Sequence, residues 1–92
     1  MITTFLNKGL AELWSSGRTA KIDKRLFCRL TERLDLLNVA KRPEDMNIQG
    51  YRFHPLQSFV PTRYSIHVNG PWCLTFEFDN GDAFKVDFEQ YH

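Results

Sequence analysis

Hydrophobic and polar positions alternate most regularly in the last third of the chain. Apolar side chains hold every second position in residues 72–78, and the alternation returns in residues 83–88. Period-two alternation is typical of strands with one buried face, and the Asn80-Gly81 pair between the runs is typical of a hairpin turn. We predict a three-residue connection, Asp79-Asn80-Gly81, because that register puts Phe76 and Phe84 on the same face of the sheet.

The first half of the chain has helical spacing instead. Asn7 is the predicted N-cap of a first helix that ends at Gly17. A second helix is predicted from near Asp23 to about Asn38, with one apolar and one basic face. The apolar positions are Phe27, Leu30, Leu34 and Leu37, and the basic ones are Arg25, Arg29 and Arg33. The basic row is either a solvated helix face or an RNA-facing patch.

Short β-prone runs fill most of the remaining chain. The predicted strands are residues 2–6, 51–56 and 63–68, and Pro55 indicates an edge position or a strand end for the second of these. Pro43 suits the first turn of a short helical segment. The predicted order is β-α-α-β-β-β-β. We therefore expect an α+β fold, in which two N-terminal helices cover one face of a mostly antiparallel sheet.

Length and cysteine content narrow the class of protein. The chain has 92 residues, which suits one domain over residues 1–92. No apolar run approaches the ~20 residues that span a bilayer, and the amino-terminal residues lack the pattern of a signal peptide. Cys28 and Cys73 have no metal-type spacing, which indicates free thiols in a reducing compartment. We expect a cytoplasmic protein that does not enter a membrane.

Charge and motifs leave few chemical candidates. The net charge of +1 lacks the strong basicity typical of nucleic-acid-binding domains. The sequence has no phosphate-binding glycine loop, metal-spaced cluster or nucleophile elbow, so no metal or cofactor is expected. What remains is His54 before Pro55, His67 within a strand and Tyr91-His92 at the carboxyl end. A lone histidine is more often structural than catalytic, so these residues need a second indication.

A resemblance distributed over nearly the whole chain supplies that indication. The sequence resembles the HigB toxins of the RelE superfamily in length, in the order of its short motifs and in its final histidine. The matching segments are Asn7-Lys8-Gly9-Leu10, Pro43-Glu44-Asp45-Met46-Asn47, Phe53-His54-Pro55-Leu56, Tyr64-Ser65-Ile66, Val68-Asn69-Gly70, Thr75-Phe76, Gly81-Asp82-Ala83 and Tyr91-His92.

The resemblance implies a RelE-like fold and the toxin of a toxin–antitoxin pair. Such a toxin enters the decoding site on the small ribosomal subunit and cuts messenger RNA there. Its implied partners are the ribosome, the messenger RNA and a HigA-like helix-turn-helix antitoxin, through which alone it reaches operator DNA.

The resemblance also implies which residues are catalytic. These are His54, Tyr91, His92 and Gln90, the last at a position where relatives usually have an acidic residue. RNA cleavage by the ribose 2′-hydroxyl needs no metal, but it needs one group to take a proton and another to give one, and imidazole suits both tasks. We pair His54 with His92 and expect Tyr91 to stack on a base or to position a proton.

A further set of residues is expected to contact the RNA, mainly its phosphates. They are Arg52, Gln57, Arg63, His67, Trp72, Cys73 and Lys85. Gln57 and Cys73 stand where relatives tend to have lysine and arginine, and a cation lost at the phosphate weakens catalysis. The alternatives are therefore an endoribonuclease whose activity these replacements weaken, and a non-catalytic module that binds the antitoxin and serves in operator regulation.

Overall fold

The computed structural model describes residues 1–91, so the predicted catalytic residue His92 lies outside the described residues. Two α-helices come first, α1 over Lys8–Ser16 and α2 over Phe27–Val39, with short 3-10 helices at Lys24–Leu26 and Pro43–Met46. Four strands follow, β1 over His54–Leu56, β2 over Arg63–Asn69, β3 over Trp72–Asp79 and β4 over Asp82–Gln90. They form one antiparallel sheet in the order β1-β2-β3-β4. The predicted α+β class and the edge position of β1 are confirmed.

The predicted ends of α1 are confirmed by their capping contacts. The side-chain oxygen of Asn7 accepts a hydrogen bond from the backbone N–H of Leu10 at 3.0 Å. At the other end, Gly17 has φ of 82°, and its N–H donates to the carbonyl of Leu13 at 2.9 Å. Glycine suits this left-handed cap because it has no Cβ to clash.

The second helix begins as the sequence predicts, and its apolar face forms much of the core. The Asp23 side chain accepts from the backbone N–H of Arg25 at 2.9 Å and caps the 3-10 turn that leads into α2. The leucines Leu30, Leu34 and Leu37 are fully buried, and they pack against Ile66, Val68, Leu74, Phe76 and Val86 of the sheet. The helices therefore lie on one face of the sheet.

The three arginines of the basic row of α2 do not share one environment, so the row is not a uniformly solvated helix face. Arg33 is buried, and its Nε donates to the backbone carbonyl of His67 at 2.7 Å. Its guanidinium carbon lies 4.2 Å from the ring centre of Tyr51, a cation–π contact. Arg29 donates to the carbonyl of Val68 at 3.2 Å, whereas Arg25 is exposed. Arg29 and Arg33 thus attach α2 to β2.

Tyr51 completes the contact between α2 and β2. Its hydroxyl donates to the Glu32 carboxylate at 2.7 Å, and its backbone carbonyl accepts from the N–H of His67. Burial, with the Glu32 contact adding to it, raises the pKa of Tyr51 to about 12. Both the carbonyl and the N–H of His67 are therefore occupied on the helix side, which fixes the backbone at that residue.

The predicted three-residue hairpin loop is wrong. Asp79 pairs with Asp82, so Asn80 and Gly81 alone make the turn, and both have positive φ, at 52° and 84°. Phe84 pairs with Glu77 and lies on the face opposite to Phe76. These dihedrals are typical of the two-residue Asn-Gly turn.

A β-bulge in β4 explains why the alternation was misleading. The register shifts between Thr75 and Glu77, opposite Lys85, whose φ is 49°. One extra residue there returns Val86 to the core face after Ala83, at a spacing of three instead of two. The alternation in residues 83–88 therefore does not give the true register, although Val86 and Phe88 both pack on the core.

The predicted first strand, residues 2–6, is reduced to two isolated parallel bridges to β4. Ile2 bridges to Ala83 and Phe5 to Val86, so the amino-terminal segment follows the bulged spacing. Four backbone hydrogen bonds of 2.9–3.1 Å join residues 1–6 to Ala83 and Val86. The element order therefore begins with a helix rather than a regular strand.

The second face of the sheet carries no helix and is called the open face here. From the register, its residues include His54 and Leu56 of β1, Arg63, Ser65 and His67 of β2, Cys73, Thr75 and Glu77 of β3, and Phe84, Asp87 and Glu89 of β4. Most of these residues are polar. The helix side buries the apolar core, and the open face is where polar chemistry is concentrated.

The contact between α2 and β2 gives a first prediction. Arg33→Ala removes a buried hydrogen bond to the His67 carbonyl and the cation–π contact with Tyr51, so we expect the free energy of unfolding to fall by ~2–3 kcal/mol. Denaturant titration measures this. Arg25→Ala removes only an exposed ion pair with Asp23, which solvent screens, and should leave the free energy of unfolding nearly unchanged. Equal losses for the two variants would contradict the assigned role of Arg33.

Candidate functional site

A cleft of about 290 Å³ opens on the open face between β1 and the end of β4. Its floor comes from the central strands, and its walls come from β1 with the following loop and from the carboxyl end. The lining residues are His54, Leu56, Gln57, Phe59, Ser65, Cys73, Thr75, Glu89, Gln90 and Tyr91. Of the four predicted catalytic residues, three therefore line one cleft, and the fourth, His92, lies outside the described residues.

His54 stands on the β1 wall and is exposed. It pairs with Ser65 across the sheet, and its Nδ1 lies 2.8 Å from the backbone carbonyl of Arg52. A carbonyl oxygen only accepts, so Nδ1 carries the proton of this bond. The Nε2 atom is then the nitrogen that gains and loses a proton, as a proton-transfer group requires.

Tyr91 stands on the opposite wall and is held by two contacts. Its N–H donates to the carbonyl of Pro71 at 2.8 Å, which continues the pairing of β4 with the β2–β3 turn. Its hydroxyl lies 3.2 Å from Nδ1 of His67, and the two rings stack at 5.9 Å. Tyr91 therefore packs against the open face of the sheet although it follows the last strand residue.

The pKa shifts of this pair favour the uncharged form of both rings. Burial, followed by the cations Arg52, Arg33 and Arg29, lowers the pKa of His67 below its ordinary value. Burial raises the pKa of Tyr91. The tautomer of His67 decides which of the two rings donates the hydrogen bond between them. His67 is thus better placed to orient Tyr91 than to bind a phosphate as a cation.

A polar network that the sequence analysis missed crosses the floor of the cleft. Arg63 is buried, and its Nη2 donates to Oγ1 of Thr75 at 2.9 Å and to the carbonyl of Lys85 at 3.0 Å. The Thr75 hydroxyl in turn donates to Oε2 of Glu89. Glu77 balances the Arg63 charge, with 3.3 Å between Oε2 and Nη1. The sequence does contain a signal for Glu89, because its spacing of two residues from Tyr91 places both side chains on one face of an extended chain.

Ser65 adds an unusual group to the same floor. Its hydroxyl oxygen is buried and has no hydrogen-bond partner within residues 1–91. Buried polar groups are rarely left unpaired in proteins, since an unmade hydrogen bond costs ~1–3 kcal/mol. Its polar neighbours are the Cys73 thiol and the Tyr91 hydroxyl, whose pKa values it lowers slightly against the larger effect of burial.

The predicted RNA-contacting residues are only partly brought together. Gln57 and Cys73 line the cleft, and Arg52 lies beside it, near enough for its charge to affect His67 and Tyr91. Lys85 lies beyond Arg63 along the open face, 3.9 Å from the Glu77 carboxylate. Their RNA contacts stay predictions.

Gln90 and Trp72 differ from the rest of the predicted set. They pair with each other across β3 and β4, so strand alternation directs both side chains away from the face that carries Glu89. Trp72 stacks on Phe88 at 4.6 Å and lines a second cavity, of about 510 Å³, with Arg25 and Arg29. Gln90 is therefore at the rim of the cleft, and Trp72 is not part of it.

The charge of the cleft is unexpected for a phosphate site. Among the described lining residues no lysine or arginine occurs, and Glu89 is the one carboxylate. Residues 1–91 also contain no cluster of three or more side chains suited to a metal ion. No helix of the described chain is both long and apolar enough to cross a membrane.

The fold and the cleft on its open face define the class of protein as a RelE-like toxin. The family model described as the RelE-like toxin of type II toxin–antitoxin system HigB matches residues 3–92. The chain is also 36% identical, over 92 residues and 100% of both proteins, to the Endoribonuclease HigB of Proteus vulgaris. The chain therefore belongs to the HigB family of RelE-like toxins, as its resemblance implied.

The two cysteines give a second prediction. Cys28 is exposed, whereas Cys73 is buried, and burial raises the pKa of the Cys73 thiol. A raised pKa lowers the thiolate fraction at a given pH, and only the thiolate attacks a disulfide reagent. At pH 8 we expect Cys73 to react with Ellman's reagent ~10-fold or more slowly than Cys28. Cys28→Ser should remove the fast phase and Cys73→Ser the slow one; a single fast phase of two thiols would contradict the assignment.

Proposed function

We propose that the chain is an endoribonuclease toxin that cuts messenger RNA in the ribosomal decoding site without a metal ion. The observation that carries this is the convergence of His54 and Tyr91 on opposite walls of one cleft, from segments far apart in the sequence. The full-length similarity to a protein named Endoribonuclease HigB supports it. The implied partners are the ribosome, the messenger RNA and a HigA-like antitoxin.

The proposed reaction is an internal transfer at phosphorus. The ribose 2′-oxygen attacks the adjacent phosphorus, the bond from phosphorus to the 5′-oxygen breaks, and a 2′,3′-cyclic phosphate and a 5′-hydroxyl form. The attacking and leaving oxygens stand in line on opposite sides of phosphorus. The group that takes the 2′ proton and the group that protonates the 5′-oxygen must therefore act from opposite sides.

In this proposal the two walls of the cleft supply the opposite sides. His54 acts from the β1 wall through Nε2, since its Nδ1 is held by the Arg52 carbonyl. Tyr91 acts from the β4 wall. A phosphate between them is steadied by Arg52 at the edge of the cleft, and Tyr91, held by His67, offers its exposed ring face to the nucleotide.

A second candidate function is a non-catalytic module that binds the antitoxin and serves in operator regulation. The specific observation in its favour is the charge of the cleft, where the described lining includes Glu89 and no cation. An anion beside the scissile phosphate opposes its binding unless it takes part in the chemistry. The two functions differ in whether the isolated toxin arrests growth and cuts messenger RNA.

Removal of either imidazole gives a third prediction. Wild-type protein expressed without antitoxin should arrest growth, and His54→Ala should abolish the arrest, because it loses a proton-transfer group worth ~100-fold or more in rate. Deletion of His92 should also abolish it, because the resemblance counts this residue among the catalytic ones. Primer extension on messenger RNA from the same cells locates the cuts. Antitoxin binding and thermal stability of the variants serve as controls for folding. Growth that is equally unaffected by all three proteins would favour the non-catalytic module.

The missing cation gives a fourth prediction. Gln57 is exposed and lines the cleft, so Gln57→Lys places a positive charge near the proposed phosphate position and should raise the cleavage rate by ~10-fold or more. The matched control is Gln49→Lys, which adds the same charge at an exposed position outside the cleft and should leave the rate unchanged. Rates are measured on programmed ribosomes. An equal gain in both variants would indicate a general charge effect on ribosome binding.

A further inference from the structure

One carboxylate of the cleft is oriented more precisely than a surface residue needs to be. Glu89 is half-buried on β4, and its Oε2 accepts from the Thr75 hydroxyl, whose own oxygen accepts from the buried Arg63. The Oε1 atom has no hydrogen-bond partner within residues 1–91. One oxygen is thus fixed by the protein, and the other is free to interact with whatever occupies the cleft.

The chain Arg63–Thr75–Glu89 also sets the direction of the hydrogen bond to that carboxylate. A threonine hydroxyl has one proton, and here its oxygen accepts from Arg63, so the proton points to Oε2 of Glu89. Oε2 is therefore occupied as an acceptor, and Oε1 is the oxygen that can take a proton from a group in the cleft.

The position of Glu89 is complementary to that of His54. The two residues stand on the outer strands of the sheet, β4 and β1, which are about three strand spacings, or ~14 Å, apart. Along the strands, Glu89 lies two residues beyond Asp87, the β4 residue in register with His54. Side chains that reach inward from both walls leave room for one nucleotide between them. An in-line reaction requires its proton acceptor and its proton donor on opposite sides of phosphorus.

We propose that Glu89 is a further catalytic residue, the general base that takes the proton of the attacking 2′-hydroxyl. The 2′-oxygen then forms its bond to phosphorus as its proton moves to Oε1 of Glu89. His54, as imidazolium, gives its Nε2 proton to the 5′-oxygen as the bond from phosphorus to that oxygen breaks. Glu89 later returns its proton to water, and His54 regains one.

This inference rests on the proposed function and gives it an assignment of roles. It also explains why a carboxylate lies in a cleft that is proposed to bind an anionic phosphate. The repulsion of the phosphate is offset if the charge of Glu89 is neutralised as the 2′-oxygen becomes negative.

The test compares two variants that remove the same charge from the same face of β4. Glu89→Gln keeps an oxygen to accept from Thr75, so the fold is preserved, but it cannot take a proton. Asp87→Asn is the matched control. Asp87 lies two residues before Glu89 on the same face of β4 and does not line the cleft. It accepts a hydrogen bond from the Phe88 N–H through an oxygen that the amide retains. Single-turnover cleavage is measured on ribosomes programmed with a messenger RNA.

We expect Glu89→Gln to cut ~100-fold or more slowly than wild type and Asp87→Asn to stay within ~3-fold of it. Binding of Glu89→Gln to a ribosome complex with a 2′-deoxy nucleotide at the cut site should match wild type. Wild-type or faster cleavage by Glu89→Gln, or an equal loss in Asp87→Asn, would overturn the proposal.

A second substrate separates the two proton tasks. A messenger RNA with sulfur in place of the 5′-oxygen has a leaving group that departs without protonation. On it, His54→Ala should regain most of its lost rate, whereas Glu89→Gln should stay slow. Recovery of Glu89→Gln instead would place it on the leaving-group side and overturn its assignment. No cleavage of either substrate by wild type would refute the proposed function itself, a failure distinguishable from that of Glu89 alone.

Discussion

The structure depends on the fact that its sheet is covered on one face only. A chain of 92 residues supplies two α-helices, and both lie against the same side of the four strands. That side takes nearly all of the buried leucine, isoleucine, valine and phenylalanine. The other side must remain compatible with water, so it is built from polar residues, some of which are themselves buried. The cleft arises on this second side, because only there do charged and protonatable groups meet without a covering layer.

The buried polar groups of that side connect the core to the cleft. Arg33 and Tyr51 hold the backbone of His67 from the helix side, and the His67 ring holds Tyr91 on the open side. Arg63 similarly reaches Glu89 through Thr75. Each cleft residue at the carboxyl end is thus positioned by a residue that is itself fixed in the sheet. A chain end that would otherwise fray is placed against the sheet in this way.

Much of the fold was predictable from local patterns. Asn7, Gly17 and Asp23 marked helix ends because capping depends on a few neighbouring atoms. The hairpin register was not predictable in the same way. Alternation assumes a regular strand, and the bulge at Lys85 adds a residue that the pattern of hydrophobic positions does not reveal. The strand expected at residues 2–6 failed for a related reason, since it follows the bulged partner and not a regular one.

The candidate site was predictable only in part, and mostly through resemblance. His54, Gln57, Cys73, Gln90 and Tyr91 were expected there, and the structure places them around one cleft. Glu89, Thr75 and Ser65 were not expected, because their relation depends on pairing between strands that sequence spacing does not specify. Trp72 was grouped with them because its ring could stack on an unstacked base, but it packs on Phe88 instead. Alternation along β3 places Trp72 on the same face as the buried Leu74 and Phe76.

The bridges from the amino-terminal residues to β4 have a consequence for association. Sheets grow by strand addition when an outer strand exposes a ladder of free N–H and carbonyl groups. On β4 the outward groups of Ala83 and Val86 are already bonded to residues 1–6. On the opposite border, β1 has three residues and a proline at its centre, which cannot donate. Over residues 83–86 of β4 and along β1 the sheet is therefore a poor template for another chain, and a partner at these two places must recognise side chains instead of backbone.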